Sequence, residues 1–398
     1  MESLSPARRT TEAAALLADL VSIDSVNPGL NSRPYQVPAV GSTGATAERL
    51  VPGTGEPSRG AGEADIAAFV AGWLERAGLE VEVEDVAPGR PNVVGRARGR
   101  GGGRTLLLNG HTDTVGYAGM TDPLRPRVEG GRLYGRGACD MKAGLAAIML
   151  AGAHAARTRP AGDVVVAAVV DEELSSLGSE AVAGRIAADA AVVAEPTDLA
   201  IGIAHRGFVW LELATAGRAS HGSRPDLGED AIVAMGSVLA GLEALDRELR
   251  AREPHALVGT ASVHASTIAG GGEWSTYPDR CRLDVEWRTL PGDTPAAVAD
   301  ELRALLAAGG EVRVALVREP LETGVDEPVV EALRLLAGTE LVGMPFWTDA
   351  ALFAAAGVPS VVFGPGGGGL HELVEWADLD QLDRSVEILC GLVDAFCA

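Results

Sequence analysis

The chain has 398 residues, of which 47% are hydrophobic and 22% charged, an ordinary composition for a globular protein. Its formal net charge of −22 repels phosphate backbones and argues against nucleic-acid binding. No apolar run is long enough to span a membrane, and Glu12 and Asp19 in the first helical pattern argue against a secretory signal. Four scattered cysteines without a Cys-x-x-Cys pair indicate reduced thiols. We therefore expect a cytoplasmic protein of two domains.

The first half of the chain alternates helical and strand patterns. Helices are predicted at Thr11–Ile23, Glu63–Ala77 and Met141–Ala156, and strands at Val81–Val86, Asn92–Ala97, Arg104–Asn109, Val164–Val170 and Ala190–Ala194. This alternation predicts an α/β domain with a mostly parallel sheet covered by helices. The stretch 27–62, rich in Pro, Gly, Ser and Thr, is too long for an ordinary connection. We expect a solvated loop there, and an active-site flap or a partly disordered insertion are the alternatives.

The pattern changes after residue 204 to the order β-α-β-β-α-β. Its members are predicted at Phe208–Thr215, Asp230–Arg250, Thr260–Ile268, Arg280–Thr289, Thr294–Ala308 and Glu311–Arg318. That order predicts a ferredoxin-like α+β domain with its helices on one face. Helices at Glu327–Ala337 and Thr348–Ala356 and a strand ending at Phe363 then resume the first pattern. The small domain, 205–318, is therefore predicted to be inserted into a larger domain formed by 1–204 and 319–398, with a ligand crevice between the two.

Acidic and imidazole side chains follow the ends of several predicted strands. They are His111 with Asp113, the adjacent pair Glu172 and Glu173, Glu195, and His371 after a glycine-rich loop, while Asp140 lies in a turn flanked by Gly135 and Gly137. In open α/β sheets the ligand crevice lies outside the carboxyl ends of the strands. These side chains are therefore expected to converge at one edge of the sheet.

On their own, Asp140, the Glu172–Glu173 pair, Glu195 and His371 have a more common structural role as turn residues, helix caps or solvated acids. For His111 with Asp113, a turn role and a ligand role are both open. The set is more informative, because one imidazole and one carboxylate per ion plus a shared carboxylate suit a site for two zinc ions. Two such ions, about 3.5–4 Å apart, polarise a carbonyl, and a free carboxylate carries the proton. Neighbouring side chains of an extended segment point in opposite directions, so Glu172 and Glu173 can have different roles. The glycine turn 99–103 is not a phosphate loop, because no Gly-Lys-Ser/Thr follows it.

In motif order from about Thr11 to its C-terminus, the chain resembles the M20 family of dinuclear zinc amidohydrolases and peptidases. That family includes acetylornithine deacetylase, succinyl-diaminopimelate desuccinylase, aminoacylase and glutamate carboxypeptidase. The matching motifs are Gly110-His111-Thr112-Asp113, Gly135-Arg136-Gly137 with Asp140-Met141-Lys142, Asp171-Glu172-Glu173, Glu195-Pro196-Thr197, Ser220-His221-Gly222-Ser223, Arg288 with Pro291-Gly292, and Gly364-Pro365-Gly366 before His371.

The resemblance implies a role for each matching residue. One zinc ion would be bound by His111, Asp140 and Glu195, and the other by Asp140, Glu173 and His371. Glu172 would be the general base and then the general acid, and Asp113 would orient His111. His221 would contact the tetrahedral oxyanion, in many relatives from the neighbouring subunit of a dimer, and Arg288 would pair with the substrate carboxylate. Ser275 stands where relatives often carry Asn, which changes a substrate contact.

The expected function is hydrolysis of a linear amide, specifically deacylation of an N-acyl amino acid by an acetylornithine deacetylase-like homodimer that uses two zinc ions. Cobalt or manganese would fit the same donors. A carboxypeptidase or dipeptidase with the same zinc chemistry is the nearest alternative. A non-catalytic binding protein on the same scaffold is a further one, and the five ligands with Glu172 argue against it. A phosphate-binding protein lacks the Lys-Ser/Thr that it would need and conflicts with the acidic charge.

Overall fold

The structure is a computed structural model that describes residues 11–30, 62–117 and 119–398. The predicted loop 27–62 therefore lies largely outside the described residues. The helices of the described residues are α1 (Glu12–Val21), α2 (Glu63–Arg76), α3 (Ala143–Thr158), α4 (Leu177–Ala183), α5 (Ala231–Ala251), α6 (Pro295–Arg303), α7 (Pro328–Ala337), α8 (Ala350–Ala355) and α9 (Leu379–Phe396). Among them there is no helix with the length and apolar character that a membrane span requires.

The strands are numbered in the same way. They are β1 (Glu80–Ala87), β2 (Arg90–Ala97), β3 (Leu106–His111), β4 (Arg127–Glu129), β5 (Arg132–Tyr134), β6 (Val164–Val169), β7 (Ala190–Val193), β8 (Ile201–His205), β9 (Gly207–Ala216), β10 (Ser262–Gly270), β11 (Arg280–Thr289), β12 (Glu311–Arg318), β13 (Leu321–Glu322), β14 (Leu341–Met344), β15 (Ser360–Val362), β16 (Gly367–Gly368) and β17 (Trp376–Asp378).

The largest sheet has the order β1-β2-β6-β3-β7-β15-β8-β13, with β14 paired to β8. Its central strands β6, β3, β7 and β15 run parallel, while β1, β2 and β13 pair antiparallel at the flanks. Every residue of β3, β6, β7 and β15 is buried. Such continuous apolar strands are typical of a parallel sheet covered on both faces. The predicted α/β class with a mostly parallel sheet is confirmed.

Helix α3 packs unusually close to the central strands because its sequence is rich in Ala and Gly. A Cβ atom at Gly144 would lie 1.8 Å from the carbonyl oxygen of Ala194, directly before Glu195. The predicted helix Met141–Ala156 begins later, at Ala143, because Asp140 and Met141 have non-helical backbone angles in the preceding turn Ala138–Lys142. That turn leaves the Asp140 side chain at the edge of the sheet rather than on a helix face.

A second sheet, formed by strands between residues 207 and 318, has the order β10-β11-β9-β12, and its pairs are all antiparallel. Helices α5 and α6 pack on it around a core of its own, which includes Met235, Leu283 and Trp287. The strand and helix order β9-α5-β10-β11-α6-β12 confirms the predicted inserted ferredoxin-like α+β unit. Helix α6 ends at Arg303, five residues before the predicted end. The domain division 1–204 with 319–398 and 205–318 stays a prediction.

A small third sheet connects two segments that are remote in sequence. Strands β16 and β17 pair with each other, β17 pairs with β5, and β5 pairs with β4. The pairing sets Trp376 opposite Tyr134. As a result the loop that carries His371 lies beside the turn that carries Asp140.

Candidate active site

The candidate site lies at the carboxyl edge of the parallel strands. Strand β3 ends at His111, which is in register with Val169 at the end of β6. Glu172 and Glu173 follow β6, and Glu195 follows β7 on the other side of β3. Because these three strands are parallel neighbours, their ends and the acids after them meet at one place, as predicted.

The side chains of the five predicted ligands converge around Asp140. Its Oδ1 lies 3.1 Å from Nε2 of His111, and its Oδ2 lies 3.3 Å from Nε2 of His371. His371 Nε2 is also 3.1 Å from Oε2 of Glu173, and His111 Nε2 is 3.7 Å from Oε1 of Glu195. The Asp140 carboxylate therefore stands between the two imidazoles with one oxygen toward each.

Glu172 belongs to the same cluster. Its Oε2 lies 3.9 Å from Nε2 of His111. Two groups have potential ligand atoms within 4.8 Å of one another, namely His111 with Glu172 and Glu195, and His111 with Asp140 and Glu173. The first group includes Glu172 where the resemblance places Asp140, so distance alone does not separate a ligand from a base.

The pKa values of the cluster are shifted because several acidic side chains lie close together and away from water. Burial raises the pKa of Glu172 and of Glu195 well above the ordinary value, and the neighbouring carboxylates add to the effect. Burial also opposes ionisation of Asp140, but hydrogen bonds from His111 and His371 hold its pKa below the ordinary range. The pKa of His371 rises to about 10 because it contacts Asp140 and Glu173.

The residues present fit divalent cations. Four carboxylates and two imidazoles in one cluster, which is buried except for His371, carry excess negative charge, and such charge is costly away from water unless cations compensate it. Oε1 of Glu173 is buried and has no hydrogen-bond partner among the described residues, as expected for an atom suited to a ligand role. Imidazole and carboxylate donors suit zinc, and also cobalt or manganese.

Comparison with known proteins decides the family. The family model of Peptidase family M20/M25/M40 matches residues 107–395. The acetylornithine deacetylase of Myxococcus xanthus is 32% identical over 348 residues, which cover 81% of this chain and 90% of that protein. The chain belongs to peptidase family M20/M25/M40. Members of this family are metal-dependent amidohydrolases and peptidases, and the chain is a metal-dependent amidohydrolase.

Other proteins match the chain at lower sequence identity. The N-formyl-4-amino-5-aminomethyl-2-methylpyrimidine deformylase of Bacillus subtilis is 26% identical over 381 residues, covering 84% of this chain and 89% of that protein. The crystal structure of aminopeptidase PepT from Bacillus cereus superposes with a TM-score of 0.74 at 17% identity, covering 98% of this chain and 99% of that chain. At that identity the superposition shows a shared fold.

In this M20 chain, Asp113 links His111 to the acidic turn after β6. Nδ1 of His111 lies 2.9 Å from the backbone carbonyl oxygen of Asp113 and 3.5 Å from its Oδ1. The Asp113 carboxylate also accepts hydrogen bonds from the backbone N–H groups of Glu172 and Glu173, at 3.1 and 3.2 Å. Asp113 therefore contacts both the His111 ring and the backbone of the acidic pair, as a residue that orients metal ligands would.

Asn27 is a buried residue of the site that the sequence did not reveal. Its Nδ2 donates to Oδ2 of Asp113 at 2.7 Å and to Oδ1 of Asp171 at 3.0 Å. Asp171, directly before Glu172, has a left-handed backbone with φ of 69°. The amide of Asn27 therefore bridges the two carboxylates that border the acidic pair.

A buried ion-pair network supports Asp171 from the other side. Arg90 Nη1 lies 2.7 Å from Oδ1 of Asp171, and the same guanidinium donates to both carboxylate oxygens of Glu63. Glu63 also accepts the backbone N–H of Asp171 at 2.9 Å. Arg90 is the cation of this network, and the side chains of Glu63 and Asp171 are fully buried.

Lys142, the single lysine of the sequence, lies beneath the Asp140 turn. It is buried, and its Nζ donates to the carbonyl oxygen of Ile23 at 3.0 Å. Burial lowers its pKa to about 7, against the opposing effect of Glu375 and Asp24. The contact connects the chain after α1 to the segment that presents Asp140.

The residues predicted to touch substrate lie apart from the ligand cluster. His221 is exposed, and its Nδ1 lies 2.8 Å from the hydroxyl oxygen of Ser223. Ser275 is also exposed, and its carbonyl oxygen accepts the N–H of Gly222 at 2.6 Å, so it lies beside His221. Within the described ranges, neither side chain forms an ion pair or hydrogen bond with the five predicted ligands.

Arg288, at the end of β11, is engaged within the inserted unit. Its guanidinium pairs with Glu286 and lies 5.3 Å from the ring centroid of Phe208. Phe208 packs edge-on against Trp347, which belongs to the chain after the inserted unit. Arg288 therefore lies near the junction between the two units, with a carboxylate partner already in place.

Proposed function

We propose that the protein removes the acyl group from an N-acyl amino acid by hydrolysis at a centre of two divalent metal ions. The observation that carries the proposal is the position of Asp140, with one carboxylate oxygen toward His111 and the other toward His371. Such a carboxylate suits a bridging ligand between two ions. The similarity to an acetylornithine deacetylase at 32% identity supports the substrate class.

The ligand assignment follows the resemblance. His111, Asp140 and Glu195 would hold one ion, and Asp140, Glu173 and His371 would hold the other. Zinc is the expected metal, with cobalt or manganese as substitutes. Bound divalent cations supply Lewis acidity toward a carbonyl oxygen and toward an attacking water.

Glu172 is proposed as the proton carrier of the reaction. Its backbone N–H is fixed by Asp113, and its carboxylate lies 3.9 Å from the ring of His111 with 14% of the side chain exposed. It would accept a proton from the attacking water and deliver that proton to the leaving nitrogen. A side chain that performs both steps must reach both atoms, and Glu172 is the acid of the cluster that the proposed ligand sets leave free.

The inserted unit is proposed to bind the substrate. Arg288 would pair with the free α-carboxylate, which requires it to exchange its present partner Glu286. Ser275 would contribute a polar contact, and His221 would contact the oxyanion. Since His221 is exposed, it is available to act from a neighbouring subunit, and we propose a homodimer in which α5 and neighbouring strands form the interface. We also propose that the enzyme is cytoplasmic.

A carboxypeptidase or dipeptidase remains the second candidate. The same metal chemistry cleaves a peptide bond, and the fold is shared with an aminopeptidase. A hydrolysis panel of N-acetyl, N-succinyl and N-formyl amino acids and dipeptides, with Zn²⁺ or Co²⁺ added, separates the candidates. We expect N-acetylornithine and related acyl amino acids to be cleaved faster than dipeptides. Preference for dipeptides would reject the deacylase proposal.

The role of Glu172 is tested in the same assay. Glu172→Gln should lower kcat about 10²- to 10⁴-fold, the usual contribution of general acid–base catalysis, while both metals stay bound. Glu372→Gln, which changes an exposed acid next to His371, is the matched control and should retain turnover. Unchanged turnover in Glu172→Gln would reject its assignment as the base. If the chain were a non-catalytic binding protein, neither the unmodified protein nor Glu172→Gln would show turnover.

A further inference from the structure

His371 is the least buried of the five predicted ligands. Its side chain is 55% exposed, whereas those of His111, Glu173 and Glu195 are at most 6% exposed. It also lies in a loop rather than at a strand end, with exposed neighbours on both sides. A ligand in such a loop needs its backbone fixed by other contacts if it is to hold a metal ion in one geometry.

Glu375, four residues after His371, supplies such contacts. Its side chain is 1% exposed. One carboxylate oxygen accepts the backbone N–H groups of Cys139 and Asp140, at 2.9 and 3.1 Å. The other accepts the N–H of Gly137 at 2.9 Å. A carboxylate from the His371 loop therefore binds three backbone donors of the turn that presents Asp140.

Arg136, which precedes the Asp140 turn, makes a second set of contacts with the His371 loop. Its Nη1 donates to Glu375 at 2.8 Å, and its Nη2 donates to the carbonyl oxygen of Glu372 at 2.9 Å. The guanidinium is 2% exposed, so the pair is desolvated and its two charges satisfy each other. The backbone N–H of Gly135 also donates to the carbonyl oxygen of Glu375 at 3.2 Å.

We propose that Arg136 and Glu375 are positioning residues that fix the His371 loop to the Asp140 turn, so that the ion between Asp140, Glu173 and His371 depends on this pair. The inference rests on the two-metal function proposed above. It follows from the difference between the two ligand sets. His111 and Glu195 lie at the ends of buried strands of the large sheet, whereas His371 lies in a loop that Arg136 and Glu375 connect to the Asp140 turn.

The proposal predicts an unequal effect on the two metal ions. Supporting contacts around ligands typically contribute about 10- to 100-fold to metal affinity. In Glu375→Gln one acceptor oxygen becomes an NH₂ group, which cannot accept the backbone donors of the Asp140 turn. Because Asp140 is shared, both dissociation constants should rise, but the constant of the ion that also needs His371 should rise more, by about 10- to 100-fold, so that the ratio of the two constants changes.

The experiment is a titration of metal-free full-length protein with Co²⁺, followed by visible absorption, together with thermal unfolding of the same samples. Glu372→Gln changes the loop without removing its backbone carbonyl and should titrate like the unmodified protein. A purely structural role for Glu375 would lower the thermal midpoint but leave the ratio of the two dissociation constants unchanged, which would overturn the proposal. Equal titrations of Glu375→Gln and the unmodified protein would also overturn it.

A second variant covers the case in which Glu375→Gln does not fold. Arg136→Lys keeps the charge and the backbone contacts of Glu375 but cannot reach both Glu375 and the Glu372 carbonyl with one planar group. It should show the same selective weakening to a smaller degree, and an unchanged ratio would reject the proposal. Binding of a single Co²⁺ equivalent by the unmodified protein would instead contradict the proposed two-metal function, so the two failures are distinguishable.

Discussion

Replacing His205 with glutamine is expected to make the stability of the protein less sensitive to acid. His205, at the end of β8, is fully buried. Its Nδ1 donates to the carbonyl oxygen of Arg206 at 3.0 Å, and its Nε2 accepts the N–H of Thr348 at 3.3 Å. Both contacts are satisfied by the neutral ring, so protonation of Nε2 would place a second donor against the N–H of Thr348.

The magnitude follows from the pKa of the buried ring. Burial lowers the pKa of His205 to about 4, with partial opposition from the carbonyl of Arg206, whereas an unfolded histidine titrates near pH 6.5. Between these values the unfolded chain binds the proton more tightly, so stability falls as the pH falls through this window and is level above it. For this group alone, lowering the pH from 7.5 to 4.5 should remove about 2.5 kcal/mol of unfolding free energy.

The assay is urea unfolding of metal-free protein at pH 7.5, 6.0 and 4.5, followed by far-ultraviolet circular dichroism. Glutamine can donate to the Arg206 carbonyl and accept from Thr348 but does not titrate, so His205→Gln should lose less stability than the unmodified protein over the same interval. His264→Gln, which removes an exposed imidazole, is the control and should follow the unmodified protein. Parallel pH profiles for His205→Gln and the unmodified protein would refute the reasoning.

Three further predictions concern charged side chains of the site. Arg90→Met should lower the unfolding free energy by about 3–5 kcal/mol, measured by urea unfolding at neutral pH, because it leaves two buried carboxylates without their cation. Asp113→Asn should lower metal affinity or kcat about 10- to 100-fold, measured by dialysis and steady-state kinetics. The reason is that the NH₂ group of the new amide cannot accept a hydrogen bond, so only one of the N–H groups of Glu172 and Glu173 keeps its acceptor. Arg288→Met should raise KM about 10- to 100-fold for an acyl amino acid with a free carboxylate, the effect of losing a charged hydrogen bond.

Each of these predictions has an outcome that would contradict it, and two of them have a matched control. Arg98→Met removes the ion pairs of a 57% exposed guanidinium with Glu80 and Asp163 and should leave the urea midpoint nearly unchanged, so equal losses for Arg90 and Arg98 would contradict the buried-network argument. Unaltered metal binding and kcat in Asp113→Asn would show that the backbone carbonyl orients His111 without the carboxylate. For Arg288, the carboxamide of the same substrate should be insensitive to the substitution, and equal changes in KM for acid and carboxamide would reject carboxylate recognition.

The fold class and the convergence of the ligands could be predicted because both depend on local patterns. Buried apolar runs define the parallel strands, and the polar residues that follow them reach one edge whatever the strand order is. His111, Glu173 and Glu195 meet for that reason. The strand order, with β3 between β6 and β7, depends on pairing between segments that are remote in sequence, which a single sequence does not show. The roles assigned to the converging residues stay predictions.

The supporting residues were not predicted because they carry no local signal. Asn27 precedes a Pro- and Gly-rich stretch, where an asparagine is ordinarily a turn residue. Glu375 looks like one of several solvated acids after His371, and its burial arises from pairing between β17 and β5. Arg90 and Glu63 are separated by 27 residues and meet only when α2 packs against β2. The predicted start of α3 is two residues early because Met141 and Lys142, which favour helices, belong to the preceding turn.

The burial of Lys142 has a consequence for chemical labelling. It is the single lysine of the sequence and is 1% exposed in the folded chain, so the only lysine amine is shielded from reagents such as succinimidyl esters. The folded protein therefore offers such reagents no exposed lysine amine. Opening of the Asp140 segment would expose that amine, and acylation at this single lysine would report the event without an introduced probe.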